Sequence, residues 1–540
     1  MLTFGAATLV MIIVCLNISS LLLVRTQGRD RELAIRGALG ASRGRLMGQL
    51  VTESLLLAVL GGVAGLAIAH GALGLLTALR PSPTPGFWSS YARALDTNDF
   101  RLDARVLAFT LVLTLVAGIM SGLLPALRAY TSGFAARLRG DAGSATAGGR
   151  SWTRTRASIV TMEIALAFVL VTAAGLVAAS LAKMHREDLG FTASEVTTMR
   201  LQLPGSIHSL QQAAQFYDEL LQRLSRQPGV VGASLSTGLP VTAAGGTTDF
   251  VPEGMTGEDL PTIGVQIISP RHFETLGVPL RTGREFSAAD VVGTMPAVIS
   301  ATTANLYWSG ENPLGRRAFA HVGAGTEEPV EVVGVVADVQ YRGVGEEVGP
   351  IVYLPVTRLP RRNLYVNVRT SMPATAAAAA MRSEVARLDP TLAITEIRTM
   401  RERVGAATSR ARFSAVLVIT FAVIAAFLAL LGVYSLVAYS VRSRSREFGV
   451  RLALGGQPRG IIALMLGDVW RIAAIGIALG LAGAFALARV LQSQLYDVAA
   501  TDPRALAIVA MLMLAAAGLA AWVPALRILR ISALTELMRE

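Results

Sequence analysis

One cysteine stands in 540 residues, and because Cys15 falls inside an apolar run, disulfides and cysteine-based metal sites are excluded within the chain. The five histidines are scattered without ligand spacing, so no metal site is expected. Charge is scarce as well: 16% of residues are charged against 52% hydrophobic, too apolar a balance for an ordinary soluble protein. No G-x-x-x-x-G-K-S/T phosphate loop occurs, so ATP-driven work, if any, must draw on another polypeptide. Asp338, Glu346 and Glu347 share a polar loop, yet no nucleophile, histidine pair or metal spacing accompanies them. They read as surface acids, and neither a catalytic residue nor a bound cofactor is expected in this chain.

What the chain has is apolar length. Seven stretches, approximately 4–24, 52–79, 106–130, 157–182, 413–441, 461–491 and 505–529, can each cross a bilayer as a helix. A crossing takes about 20 residues, because backbone groups in lipid must bond internally. The net charge of +12 would suit nucleic acid if it were gathered on a soluble face. It is not: residues 186–410 carry a balance of −3 and the remainder +15, so the excess flanks the apolar spans, as cytoplasmic loops require. The expected surroundings are a lipid bilayer, with no nucleic acid. Arg25, Arg29, Arg31, Arg36, Arg43 and Arg45 crowd the loop after the first span, and Arg442, Arg444, Arg446, Arg451 and Arg459 the loop after the fifth. Both loops therefore face the cytoplasm and residues 183–412 lie outside. This orientation leaves almost nothing ahead of the first span, and an upstream part is expected.

Both cytoplasmic loops carry the same motif. Arg31-Glu32-Leu33-Ala34-Ile35-Arg36-Gly37-Ala38-Leu39-Gly40 recurs 415 positions later as Arg446-Glu447-Phe448-Gly449-Val450-Arg451-Leu452-Ala453-Leu454-Gly455. Glu32 and Arg36 are four residues apart, as are Glu447 and Arg451, so each couple shares a helix face and can form an ion pair. Gly40 and Gly455 can end those helices. One such pair is a solvated surface feature of little energetic value. Its repetition at two membrane edges points to a short helix along the inner surface that meets a cytosolic ATPase. Glu32, Arg36, Gly40, Glu447, Arg451 and Gly455 are the candidate coupling residues. Pro125-Ala126-Leu127-Arg128 and Pro524-Ala525-Leu526-Arg527 close the third and seventh spans at an offset of 399, and Asp103 and Asp502 precede those spans. Each half thus has three matching helices. Leu454-Gly455-Gly456-Gln457 looks like the signature loop of an ABC ATPase, but it aligns with Leu39-Gly40-Ala41-Ser42 and lacks an accompanying phosphate loop, so that reading is rejected.

A few ionisable groups fall within the spans. Asp468 and Arg471 are close enough on a helix to partner one another, and Glu53 and Glu163 lie near inner ends from which they can snorkel. No chain of carboxylates crosses any span, which makes a proton-driven carrier the weaker reading.

The outer segment has the texture of an α/β domain. Strand-like runs occupy 196–203, 230–236, 330–336, 351–354, 364–368 and 394–397, with helical patterns over 210–224 and 373–388. Irregular sequence rich in Gly and Pro fills the middle. This order predicts a βαβ-type subdomain interrupted by a β-rich insertion. The expected division is a first permease half over 1–139, a flexible cytoplasmic linker over 140–156, a transmembrane helix over 157–182, the outer domain over 183–412 and a second half over 413–540.

Together these features resemble the MacB/FtsX-like permeases of ABC transporters, particularly the duplicated orphan permeases common in acidobacteria. Carrying the resemblance are the two charged motifs, the Pro-Ala-Leu-Arg helix ends, and the outer-domain stretches Ser269-Pro270-Arg271-His272-Phe273-Glu274-Thr275-Leu276-Gly277 and Asn312-Pro313-Leu314-Gly315-Arg316-Arg317. The resemblance implies an α-helical integral membrane protein with about seven transmembrane helices in two homologous halves, plus an extracytoplasmic α+β MacB-type periplasmic domain. It implies a bacterial inner-membrane location, an ABC ATPase subunit holding ATP and Mg, and a periplasmic adaptor and outer-membrane channel as partners. By the same resemblance, ATP-driven motion is relayed to the outer domain to export or extract a hydrophobic or peptide-like substrate. The full duplicated form has two outer domains and eight spans, so a truncated gene model is expected here. Two other functions remain open at this point: a regulator of a cell-wall hydrolase, and a proton-coupled carrier.

Overall fold

The computed structural model describes residues 2–27, 32, 35–36, 42–78, 103–131, 142–205, 209–242, 245–255, 260–287, 289–321, 327–444, 447–448, 451, 454, 457–492 and 502–526. They form two compact units, one within Met1–Arg80, Phe100–Lys183 and Arg412–Glu540, the other within Met184–Ala411. The first opens with α1 (Leu2–Gln27), α2 (Arg43–Ala78), α3 (Ala104–Thr131) and α4 (Ala142–Arg186). The linker expected over 140–156 is a finding against composition, because α4 already begins at Ala142. Extending an existing helix costs no new nucleus, so α4 runs on through Gly143, Gly148 and Gly149 despite their weak propensity.

The second unit is an α/β domain built on one twelve-stranded sheet. Its frame is β1 (Val196–Gln202), α5 (Leu210–Ser225) and β2 (Val230–Ser236), completed much later by β11 (Asn363–Thr370), α8 (Ala374–Leu388) and β12 (Ile394–Thr399). Strand β1 lies between β11 and β12, antiparallel to both, and β11 continues antiparallel to β2. The four strands stand in the order β12-β1-β11-β2, so each βαβ unit is split by a strand of the other. One face of this frame is closed by α5 and α8, whose Tyr217, Leu220, Met381 and Val385 join Met199, Leu235 and Val366 in a single apolar cluster. Burial of such side chains contributes roughly 1.5–3 kcal/mol each. Ser209 and Gln212 form a capping box at the start of α5, which fixes where the helix begins.

Between β2 and β11 runs the insertion: β3 (Thr247–Thr248), β4 (Phe250–Pro252), β5 (Ile263–Ile268), α6 (His272–Leu276), β6 (Leu280–Gly283), β7 (Met295–Ser300), α7 (Ala301–Tyr307), β8 (Arg317–His321), β9 (Glu327–Val336) and β10 (Ile351–Pro355). It extends the same sheet through β5, β10, β7, β9, β8 and β4, around a second core that contains Phe250, Tyr307, Trp308 and Val332. Asp338, which the sequence left as a loop acid, accepts the Thr302 amide at 2.8 Å and so caps the first turn of α7. His272 is fully buried, its Nδ1 lying 3.3 Å from Ser234 Oγ, and burial pushes its imidazole down to about 3.

The chain leaves the sheet through α9 (Met400–Ser443), followed by α10 (Pro458–Gln492) and α11 (Pro503–Ala525). Thr399 and Glu402 exchange backbone-to-side-chain bonds of 3.0 and 3.1 Å at the start of α9. One turn on, the buried Arg403 donates to Thr198 Oγ1 at 2.7 Å and to the Glu396 carbonyl at 3.0 Å, tying that turn to the sheet. Seven helices, α1–α4 and α9–α11, are long and apolar enough to cross a membrane, as the hydropathy pattern predicts.

Within the helical unit, small residues and a few polar bonds decide the contacts, because lipid gives no apolar driving force between helices. A Cβ on Gly118 of α3 would come within 2.9 Å of Ala58 Cβ on α2, and one on Gly476 or Gly480 of α10 within 2.9 Å of Ile164 or Phe168 on α4. Ser54 Oγ donates to the Gly118 carbonyl at 2.9 Å, and Ser19 Oγ of α1 to the Ser121 carbonyl at 2.9 Å. The two halves are joined by Asn17 Nδ2 of α1, which donates to the Leu428 carbonyl of α9 at 2.7 Å. Asp103 accepts the Val106 amide at 2.8 Å and Asp502 the Arg504 amide at 2.9 Å, so the two matched aspartates cap the matched helices α3 and α11.

Candidate docking and coupling site

Both repeated motifs form the ion pair that their spacing allows. Arg36 Nη2 lies 2.7 Å from Glu32 Oε1 and Arg451 Nη2 lies 2.7 Å from Glu447 Oε1, each pair i,i+4. All four side chains are between 40% and 50% exposed. An exposed i,i+4 pair contributes only about 0.3–0.5 kcal/mol, so these pairs do not hold the fold together. What they do is set two charges of opposite sign in a fixed order on a face that remains open. Gly40 and Gly455, the proposed helix ends, lie outside the described residues.

The two copies are fastened differently. In the first, Arg36 Nη1 also donates to Gln49 Oε1 at 3.0 Å, and Gln49 Nε2 donates to Glu53 Oε1 at 3.3 Å. The charged element is thereby linked to the first turns of α2, whose start is marked by Ser42 accepting the Arg45 amide at 3.4 Å. In the second, Phe448 is 1% exposed and sits in one apolar cluster with Ile461, Ile462 and Met465 of α10. Its amide donates to the Arg444 carbonyl at 3.0 Å, and the Arg444 amide to the Ser440 carbonyl at 3.2 Å, which carries the chain from α9 into the element. Gln49 and Phe448 were missed in the sequence. An apolar residue next to Glu447 was the available signal for the second; nothing marked the first.

Other candidate residues fare unequally. Glu163 does not snorkel: it is 0% exposed, and neither carboxylate oxygen has a hydrogen-bond partner among the described residues. It lies on Gly432 of α9, where any Cβ would collide with Oε2. Arg156, 1% exposed, stacks 4.7 Å over the Tyr439 ring and donates to Ser435 Oγ at 3.3 Å. Asp468 and Arg471, expected as partners, form no ion pair among the described residues; both line a cavity instead. No group of three or more His, Cys, Asp or Glu side chains among the described residues could hold a metal.

Family models match both parts of the chain. The family model for the FtsX-like permease C-terminal region matches residues 4–134 and 419–533, and that for the MacB-like periplasmic core domain matches residues 159–384. The uncharacterized ABC transporter permease YknZ of Bacillus subtilis (strain 168) is 34% identical over 73 residues, 14% of this chain and 18% of that protein. The macrolide export ATP-binding/permease protein MacB 1/2 of Paracoccus denitrificans (strain Pd 1222) is 27% identical over 273 residues, 49% of this chain and 38% of that protein. The chain thus spans well under half the length of either relative. The crystal structure of the periplasmic region of MacB from Actinobacillus actinomycetemcomitans, 16% identical, covers 41% of this chain and 95% of its own, with a TM-score of 0.28.

Proposed function

The chain belongs to the FtsX-like ABC transporter permeases that carry a MacB-like periplasmic core domain, and from that premise we propose that it is the permease subunit of a mechanotransmitting ABC system. A separate ABC ATPase in the cytosol holds ATP and Mg2+ and hydrolyses the nucleotide; this chain supplies the docking elements and the helices that move. The protein resides in the bacterial inner membrane with residues 183–412 in the periplasm. The observation that carries the reading is the pair of solvent-facing ion pairs, Glu32–Arg36 and Glu447–Arg451, at matched places on the cytoplasmic edge. Nucleotide-driven motion enters at these two elements and passes along α9, a single helix whose first turn is bonded to the sheet by Arg403. The moving domain then exports or extracts a hydrophobic or peptide-like substrate from the periplasmic side, delivering it to an adaptor and an outer-membrane channel.

The test is a pull-down of the ATPase encoded alongside, with Glu32→Arg and Glu447→Arg combined. Recovery of the ATPase is abolished, while insertion of the permease into membranes is unchanged. Undiminished recovery would discard the docking assignment.

A further inference from the structure

A cavity of about 260 Å3 lies between α4 and the second-half helices α9 and α10. Three arginines reach it from three separate stretches: Arg154 on α4, Arg444 just past the end of α9, and Arg471 on α10. Among the described residues none of the three forms an ion pair, and one acid, Asp468, lines the wall with them. Between the charges the wall is apolar, with Val437, Met465 and Ile472.

We propose that this cavity binds the headgroup of an anionic phospholipid from the inner leaflet. The positive-inside orientation puts Arg154 and Arg444 at the cytoplasmic edge, near the phosphates of that leaflet, and Arg471 reaches the same cavity from further along α10. Each guanidinium is a planar fork of donors that matches phosphate oxygens, and the single carboxylate of Asp468 offsets only one of the three positive charges on the wall. Basic pockets between transmembrane helices on the cytoplasmic side are suited to such headgroups. The apolar wall provides a path for acyl chains, which a free phosphate would not need. Asp468 accepts a hydrogen bond from a headgroup hydroxyl, favouring phosphatidylglycerol over an anion without donors.

Ordinary edge positivity would be expected in both halves, and the first half does not repeat this site. At the repeat offset of 415, Arg444 and Asp468 match Arg29 and Glu53, but Arg471 is matched by Leu56. Glu53 is already engaged by Gln49 at 3.3 Å. The site also stands at the foot of the second docking element, because the Arg444 carbonyl accepts the Phe448 amide at 3.0 Å. A lipid there steadies the segment that enters that element.

The experiment uses the full chain in micelles doped with equal phosphatidylglycerol and phosphatidylcholine, delipidated mildly and weighed by native mass spectrometry. The unaltered protein retains phosphatidylglycerol in preference by at least about tenfold, and Arg471→Leu and Arg154→Gln each reduce that preference about fivefold. Arg471→Lys preserves most of it. Equal retention of the two lipids by the unaltered protein overturns the proposal, whatever the variants do. So does an undiminished preference in folded Arg471→Leu protein, judged by size-exclusion chromatography. Loss of the retained lipid to excess inorganic phosphate would assign the site to a soluble anion and overturn it equally.

Discussion

The two copies of the charged motif present the same Glu–Arg pair and, among the described residues, are fastened by different contacts. The first is fastened by a polar relay from Arg36 through Gln49 to Glu53, the second by the buried ring of Phe448. At the repeat offset Gln49 is matched by Leu464, which cannot form the relay, and Phe448 by Leu33, which lies outside the described residues. The Glu–Arg pair is kept in both copies, while the residues at these two attachment positions differ. A polar relay beside water is cheap to break and remake, since a hydrogen bond there contributes about 1 kcal/mol net. A buried aromatic ring is costly to withdraw, on the order of 3 kcal/mol or more. Of the two described contacts, the relay through Gln49 is thus the more easily broken and the Phe448 anchor the firmer.

That contrast can be broken most forcefully at Phe448. Phe448→Ala should destabilise the second element by about 3–5 kcal/mol, read as a sharp rise in proteolytic cleavage near Arg451, with the first element unaffected. If cleavage does not change, the apolar anchor is not what holds that copy. A middling effect is expected from Gln49→Leu, which gives the first copy the residue found in the second. Severing the relay should cost about 1 kcal/mol and raise labelling of a cysteine placed at Ile35, in a background where Cys15 is replaced. The smallest effect belongs to the ion pairs themselves. Glu32→Gln and Glu447→Gln, made singly, should each shift thermal stability by no more than about 0.5 kcal/mol, an amount that vanishes at high salt. A larger, salt-resistant loss for one copy alone would mean that its pair is structural and not a docking face.

Much of this was legible in the chain because periodicity and capping act locally. The seven apolar runs, the i,i+4 spacing of Glu32 and Arg36, and the aspartates before α3 and α11 are each settled by residues within a turn or two of one another. The strands of the frame alternate strongly enough to be found, and the split βαβ order follows once β1 is seen between β11 and β12. The short strands β3, β4, β6 and β8 were lost in Gly- and Pro-rich sequence, since two to five residues carry too little pattern to stand out. Glu163 was misread for a different reason. Its position near a helix end says nothing of what the neighbouring helix offers, and only the packing on Gly432 closes off its route to water. Asp468 and Arg471 were likewise paired by distance along one helix, although the cavity that draws both belongs to three.

One hydrogen bond has a bearing on biogenesis. Asn17 sits in α1, yet the carbonyl it bonds belongs to Leu428, 411 residues later. At roughly 5–20 residues per second, synthesis takes about 20 to 80 seconds to deliver that partner. During this interval the amide must wait at the translocon, at another polar group or at the interface, because an unbonded amide in hydrocarbon is costly. Helix α1 therefore reaches its final seat only after α9 has been made, with residues 183–412 synthesised in between.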